Sequence, residues 1–244
     1  MKLQLGIVSA GVALAATLGT AGAAQAALVV VPPGLAPGAQ YRLVFVTEGK
    51  RDATSTDIDD YNTFVTNQVT GSALANALSG AGLTTTWKAI GSTASVAARD
   101  NTGTNPSSTG VPIYLINGNK VANNNADLWD GSIQTAINIT QNDSAAGSQV
   151  VFTGTEKDGT MEAQFVLGSG GNVYWGFSGD TGYEWIWFSN SLGTGNLYFY
   201  GMSGVLTVPG NQPEPVTVPE PTSLLGYITL GGLMLGGAVR KARK

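Results

Sequence analysis

The chain has 244 residues, a length suited to one domain or at most two small ones, and with 43% hydrophobic residues, five Trp and eight Tyr it can bury a core; 34 glycines and only 11% charged residues then describe a strand-and-loop protein rather than a disordered one. The formal charge of −4 conceals an asymmetry: residues 27–239 hold all 16 acids against 7 bases, a balance of −9, which excludes nucleic acid as a partner because that binding depends on phosphate neutralisation. There is no Cys and no His, which removes disulfides, thiolate nucleophiles, imidazole bases and nearly every zinc, copper, haem or iron–sulfur site.

The first segment joins Lys2, an apolar run over 5–18 and the small-residue site Ala24-Gln25-Ala26. A positive start, a short apolar core and an A-x-A site predict a secretory signal peptide over 1–26, cut after Ala26 and handled by the Sec export machinery. An uncleaved anchor is the alternative; the run is short for a span of about 20 residues.

Residues 27–208 form the predicted globular domain. A strand is expected at 41–47, where β-branched and aromatic residues lie between turn signals. Ser55 or Thr56 is placed to cap a helix whose start carries Asp57, Asp59 and Asp60, and Ile58, Tyr61, Val65 and Val69 give it one apolar stripe. A second short helix is expected at 73–81, with Leu74, Ala77 and Leu78 inward and Gly82 ending it. Helical periodicity then stops. Strands are predicted at 87–90, 113–116, 120–122, 150–153, 163–166, 173–177, 185–188, 197–200 and 205–208. Asn117-Gly118 supplies the positive φ of a hairpin turn, and Asn/Ser/Gly-rich loops are expected at 99–110 and 141–149. The sum is an α+β fold with two helices near the N-terminus and short antiparallel strands joined by long loops.

Residues 209–218 are a Pro-rich stalk, held extended by Pro209, Pro213 and Pro215. The last segment, 219–244, begins Pro219-Glu220-Pro221, continues as an uncharged apolar stretch over 223–239, and closes on Arg240-Lys241-Ala242-Arg243-Lys244. That stretch is long enough to cross a hydrocarbon core of about 30 Å as a transmembrane helix, with its basic end cytoplasmic and the body outside.

These three parts, in this order, resemble the PEP-CTERM sorting tail. The resemblance covers about the last 26 residues and implies an exported protein of a Gram-negative bacterium. Its inner-membrane intermediate is cut by an exosortase near Pro219-Glu220-Pro221 and passed to the cell surface or the extracellular polysaccharide matrix. An ordinary C-terminal anchor with a Pro-rich stem is the alternative. Across 41–208 the landmark order resembles bacterial surface domains of the C-type-lectin-like fold: strand, two helices, Trp87-Lys88-Ala89-Ile90, the hairpin at Gly118, Asp127-Leu128-Trp129-Asp130-Gly131, Asp158-Gly159-Thr160 and a closing aromatic strand. This implies binding of glycans, proteins or mineral surfaces. The sequence departs from calcium-dependent lectins in lacking their disulfides and their Glu-Pro-Asn or Gln-Pro-Asp tripeptide.

Asp127, Trp129, Asp130, Asp180 and Trp185 are the candidate ligand-binding residues, acids set beside aromatic platforms. Asp127 and Asp130 lie in oxygen-rich turns that are also a candidate calcium site, although Asn and Asp in turns usually bond their own backbone. Asp180-Thr181-Gly182 has the form of an aspartic-protease triplet but no second copy exists, so it reads as a turn. Trp175, Trp185 and Trp187 either stack sugars or fill the core. Gly168-Ser169-Gly170-Gly171 lacks the Lys-Ser/Thr of a phosphate cradle and reads as a flexible turn. No catalytic residue or cofactor is assigned. The expected function is non-catalytic adhesion or glycan binding. The alternatives are a structural matrix protein without a specific ligand and a small glycan hydrolase, whose two carboxylates would come from Asp127, Asp130, Asp158, Asp180 and Glu184.

Overall fold

The computed structural model describes residues 28–210. The expected signal peptide with Ala24 and Ala26, all but the first two stalk residues, and the tail with Pro219, Glu220, Pro221 and the apolar stretch 223–239 lie outside the described residues. Among the described residues no helix is long and apolar enough to cross a membrane.

The domain is α+β. Strand β1 (Gln40–Val46) is buried on both faces: Tyr41, Leu43 and Phe45 point to one apolar cluster, Val44 and Val46 to another. A strand apolar on both sides belongs inside a sheet. Accordingly β1 lies central in the order β2-β8-β1-β3-β4, formed with β2 (Trp87–Ala89), β3 (Ile113–Leu115), β4 (Lys120–Ala122) and β8 (Tyr200–Ser203). It runs antiparallel to β8 (Val44 opposite Met202) and parallel to β3 (Leu43 opposite Tyr114). The short β9 (Leu206–Thr207) pairs with the start of β1, so the two ends of the domain meet.

Helices α1 (Ile58–Val69) and α2 (Ala73–Gly80) cover the first cluster, with Tyr61, Val65, Leu74 and Leu78 against Leu43 and Phe45. The cap of α1 is Asp57, whose carboxylate accepts the Asp59 N–H at 3.0 Å; Ser55, two positions earlier, instead accepts the Asp57 N–H. An N-cap of this kind contributes about 1 kcal/mol. Helix α2 ends as the sequence suggests: Gly82 at φ +67° and Leu83 close a Schellman motif, with Leu83 N–H to the Leu78 carbonyl at 2.9 Å and Gly82 N–H to that of Ser79 at 3.0 Å. Edge strand β2 is covered by side chains. Asn62 of α1 accepts the Ala89 N–H at 2.9 Å and Asn101 donates to the Ala89 carbonyl at 2.8 Å, which blunts an otherwise open edge.

A second, three-stranded sheet, β5 (Val150–Phe152), β6 (Asn172–Phe177) and β7 (Ser189–Leu192), is antiparallel throughout, with Trp175 opposite both Phe152 and Ser189. Two further four-residue helices, α3 (Ala98–Asn101) and α4 (Asn125–Leu128), sit where loop or turn was expected.

Three expected strands are absent. Residues 163–166 form a turn, closed by Phe165 N–H to the Glu162 carbonyl at 2.9 Å, with Ala163 and Gln164 both exposed. Residues 185–188 leave a 3-10 helix at Tyr183–Trp185 instead of continuing a strand. The 197–200 run makes only isolated bridges at Leu197 and Tyr198 before β8 begins. The β3–β4 turn also differs from a two-residue type. Gly118 alone has positive φ (+87°), its N–H bonds the Leu115 carbonyl at 2.9 Å, and Leu115 N–H reaches the Asn119 carbonyl at 2.8 Å, a three-residue loop in which Asn117 keeps ordinary backbone angles.

Candidate functional site

The five candidate residues separate into two kinds. Asp127 sits in the first turn of α4, where its Oδ2 accepts the Asn123 N–H at 2.6 Å, the Asn123 side-chain amide at 3.0 Å and the Gln134 amide at 2.9 Å. Asp130 closes an Asx turn, accepting the Ser132 N–H at 3.0 Å and its hydroxyl at 3.2 Å. The same i-to-i+2 device recurs at Asp52, Asn105, Asn117 and Asp158. These carboxylates organise their own loops. Asp180 lies in the turn that follows β6, its N–H bonded to the Phe177 carbonyl at 3.2 Å, and the neighbouring Thr181 carbonyl accepts from Ile133 at 2.8 Å. Among the described residues no group of three or more acids is placed to hold a metal ion.

The two tryptophans are interior. Trp185 is 0% exposed and Trp129 5%. Their rings meet at 5.9 Å, Trp185 also touches Tyr200 at 5.7 Å, and the Trp129 indole N–H donates to the Thr104 carbonyl at 3.1 Å. Both are core members of the second cluster and offer no surface to a ligand.

The aromatic surface lies elsewhere, on the small sheet. Period-two alternation along β6 sends Trp175 and Phe177 to one face, and Phe188, whose N–H bonds the Trp175 carbonyl at 2.9 Å, joins them from the run into β7. The three rings touch pairwise: Trp175–Phe177 at 5.1 Å, Trp175–Phe188 at 5.3 Å and Phe177–Phe188 at 5.0 Å. Phe188 is 50% exposed and the other two are partly exposed. Sequence reasoning singled out Trp175 but passed over Phe177 and Phe188. The alternation of β6 already placed Phe177 beside Trp175; nothing local marked Phe188.

The opposite face of β6 carries Tyr174, stacked on Phe165 at 4.6 Å and edge-on to Trp187 at 5.9 Å. Its hydroxyl donates to Glu162 Oε2 at 2.6 Å, and its pKa is pushed up to about 12, first by burial and then by that bond to Glu162. Beside it, burial pushes the Glu156 carboxyl above the usual range, helped by a hydrogen bond to Glu162 and by that group's charge. Sequence reasoning did not single out Glu156 or Glu162, because both fall in one irregular loop.

A cleft of about 430 Å3 runs between α1 and β2, lined by Thr63, Thr66, Thr85 and Thr86, with the Asp59–Lys88 ion pair (3.6 Å) at its side. Its most buried polar group, Asn62, is already engaged with Asp59, Asn101 and the Ala89 backbone, so its hydrogen-bonding capacity is spent on the fold. No protein-family model matches the chain, and no curated protein matches it.

Proposed function

We propose that this chain is an exported surface or matrix protein, sorted through its Pro219-Glu220-Pro221 tail by an exosortase, whose body acts by contact rather than by catalysis. The body is read as C-type-lectin-like. Support comes from the order of elements: a first strand, two helices, an edge strand, long loops, a small second sheet and closing strands that return antiparallel to the first. The observation that carries the contact reading is the partly exposed Trp175–Phe177–Phe188 cluster, set against acids that are bound into turns. Aromatic faces of this kind suit adhesion to glycan, whose apolar ring faces they stack against.

Surface labelling of intact cells, followed by mass spectrometry of the labelled protein, tests the reading. The expected product is accessible from outside, begins after Ala26 and ends near Pro221. An intact chain in the cytosol, with both ends retained, overturns it. Incubation of the purified chain with neutral and acidic polysaccharides is expected to release no new reducing ends; a turnover abolished by Glu156→Gln would establish a hydrolase instead.

A further inference from the structure

We infer that the Trp175–Phe177–Phe188 patch docks a neutral hexose polysaccharide as a single twisted chain. The inference deepens the contact reading above and rests on it. Three features of the patch select this occupant. The first is charge. The strands of the small sheet and the run that carries Phe188, residues 150–152, 172–177 and 185–192, contain no Asp, Glu, Lys or Arg; the nearby Lys50 lies over the Tyr198 ring at 4.4 Å. A polyuronate or sulfated polymer would find no cation of these segments to pair with, and its own charges would be desolvated against aromatic rings. A neutral sugar brings apolar C–H faces and hydroxyls, and the patch supplies the counterpart of each.

The second feature is the border. In an antiparallel pair, directly opposed residues share a face. Ser189 is opposite Trp175 and Ser191 opposite Val173, so two hydroxyl-bearing residues stand on the same face as the rings, and both are partly exposed. Aromatic area edged by small neutral donors and acceptors is the composition a sugar needs: stacking on its faces and hydrogen bonds to its rim.

The third feature is tilt. The ring planes are inclined by 78°, 44° and 53° to one another. Rings so inclined share no common plane, so they cannot lie flat on a crystalline polymer. They can follow successive sugars of a soluble chain that turns from one residue to the next.

Affinity electrophoresis of the purified full-length chain through gels containing laminarin, dextran or hydroxyethylcellulose, with alginate as the acidic comparison, tests this. Retardation by at least one neutral polymer and none by alginate is expected. Phe188→Leu, which keeps apolar bulk but removes the ring, is expected to weaken retardation by about tenfold, and Phe188→Tyr to preserve it. Ser189→Glu, which places a charge beside Trp175 without touching the core, should weaken it as well and stands in if the Phe188 variants fold poorly by near-ultraviolet circular dichroism. Equal or stronger retardation by alginate overturns the inference, as does unchanged binding by both Phe188→Leu and Ser189→Glu. Sedimentation showing a concentration-dependent dimer that Phe188→Leu dissolves would assign the patch to a second copy of the chain. A protein labelled at the cell surface that no neutral polymer retards sinks this inference alone; an unprocessed cytosolic chain sinks the surface reading beneath it.

Discussion

The two faces of strand β6 come from alternate residues of one hexapeptide, yet they differ in nearly every chemical respect. On one face Tyr174 is 7% exposed, stacked on Phe165, and tied through its hydroxyl to Glu162. On the other, Trp175 and Phe177 reach Phe188 with ring contacts alone and leave part of each ring in water. An aromatic side chain whose polar end is bonded has a fixed place in the fold; rings that lie partly in water keep free area for a partner, even where one of them, Trp175, also packs on the first cluster. The difference separates residues that hold this sheet from residues that use it.

The sharpest way to break that comparison is at the pivot between the faces. Gly176 lies between Trp175 and Phe177 and packs against the 3-10 helix, so the methyl of Gly176→Ala would press on the Trp185 and Glu184 carbonyl oxygens. Backbone cannot yield as a flexible side chain does, and a destabilisation of about 3 kcal/mol is expected in urea unfolding. A loss well under 1 kcal/mol would show the sheet to be loosely seated on the helix. Tyr174→Phe comes next. It removes one hydrogen bond to a carboxylate and should cost about 1 to 2 kcal/mol, while leaving retention by polysaccharide unchanged. If that variant lost retention with its stability intact, the binding face would be the acidic one.

Glu156→Gln reverses the sign. The folded carboxyl titrates above its unfolded value, so the folded state holds its proton more tightly. The stability this gives is fully present below the unfolded pKa and is lost as pH rises through the folded one. Ionising Glu156 therefore costs stability as pH rises, a cost the neutral amide does not carry, so Glu156→Gln should raise the melting temperature at higher pH. Melting curves from pH 4 to 8 are expected to converge for the two proteins at the acid end and to separate as pH rises. Curves that separate toward the acid end would reverse the assignment.

Much of the scaffold was legible because periodicity and caps are local. The stripe Ile58, Tyr61, Val65 and Val69 fixed α1, the Gly82 stop closed α2, and the β-branched run fixed β1. The errors share one cause: short apolar runs whose state is decided by distant partners. Trp185-Ile186-Trp187-Phe188 alternates in type like a strand, but burying Trp185 against Trp129 and Tyr200 draws the chain into a 3-10 turn. The candidate site suffered likewise. Trp129 and Trp185 are candidates because acids flank them in sequence, and packing puts both in the core, the role the Trp-Ile-Trp run already favoured for Trp185. Phe188 could not be found from its neighbours, since its exposure follows from where Trp187 and Trp175 are drawn.

The smallest effect makes the strictest test. Phe188 is half exposed, and its ring contacts are with Trp175, which packs at the edge of the first cluster, and with the partly exposed Phe177. Replacing it with Leu keeps most of the apolar bulk, and a surface change of this kind typically moves stability by no more than about 0.5 kcal/mol. For a domain of this size that corresponds to a melting shift of about 1 to 2 °C, close to silence. Silence in melting combined with a loss of retention is a pairing that a core residue cannot produce, because truncating a buried Phe or Trp costs about 3 to 5 kcal/mol. A melting loss of that larger size at Phe188 would mean that the ring supports the sheet, and the aromatic face would then be core left partly uncovered rather than a surface built for contact.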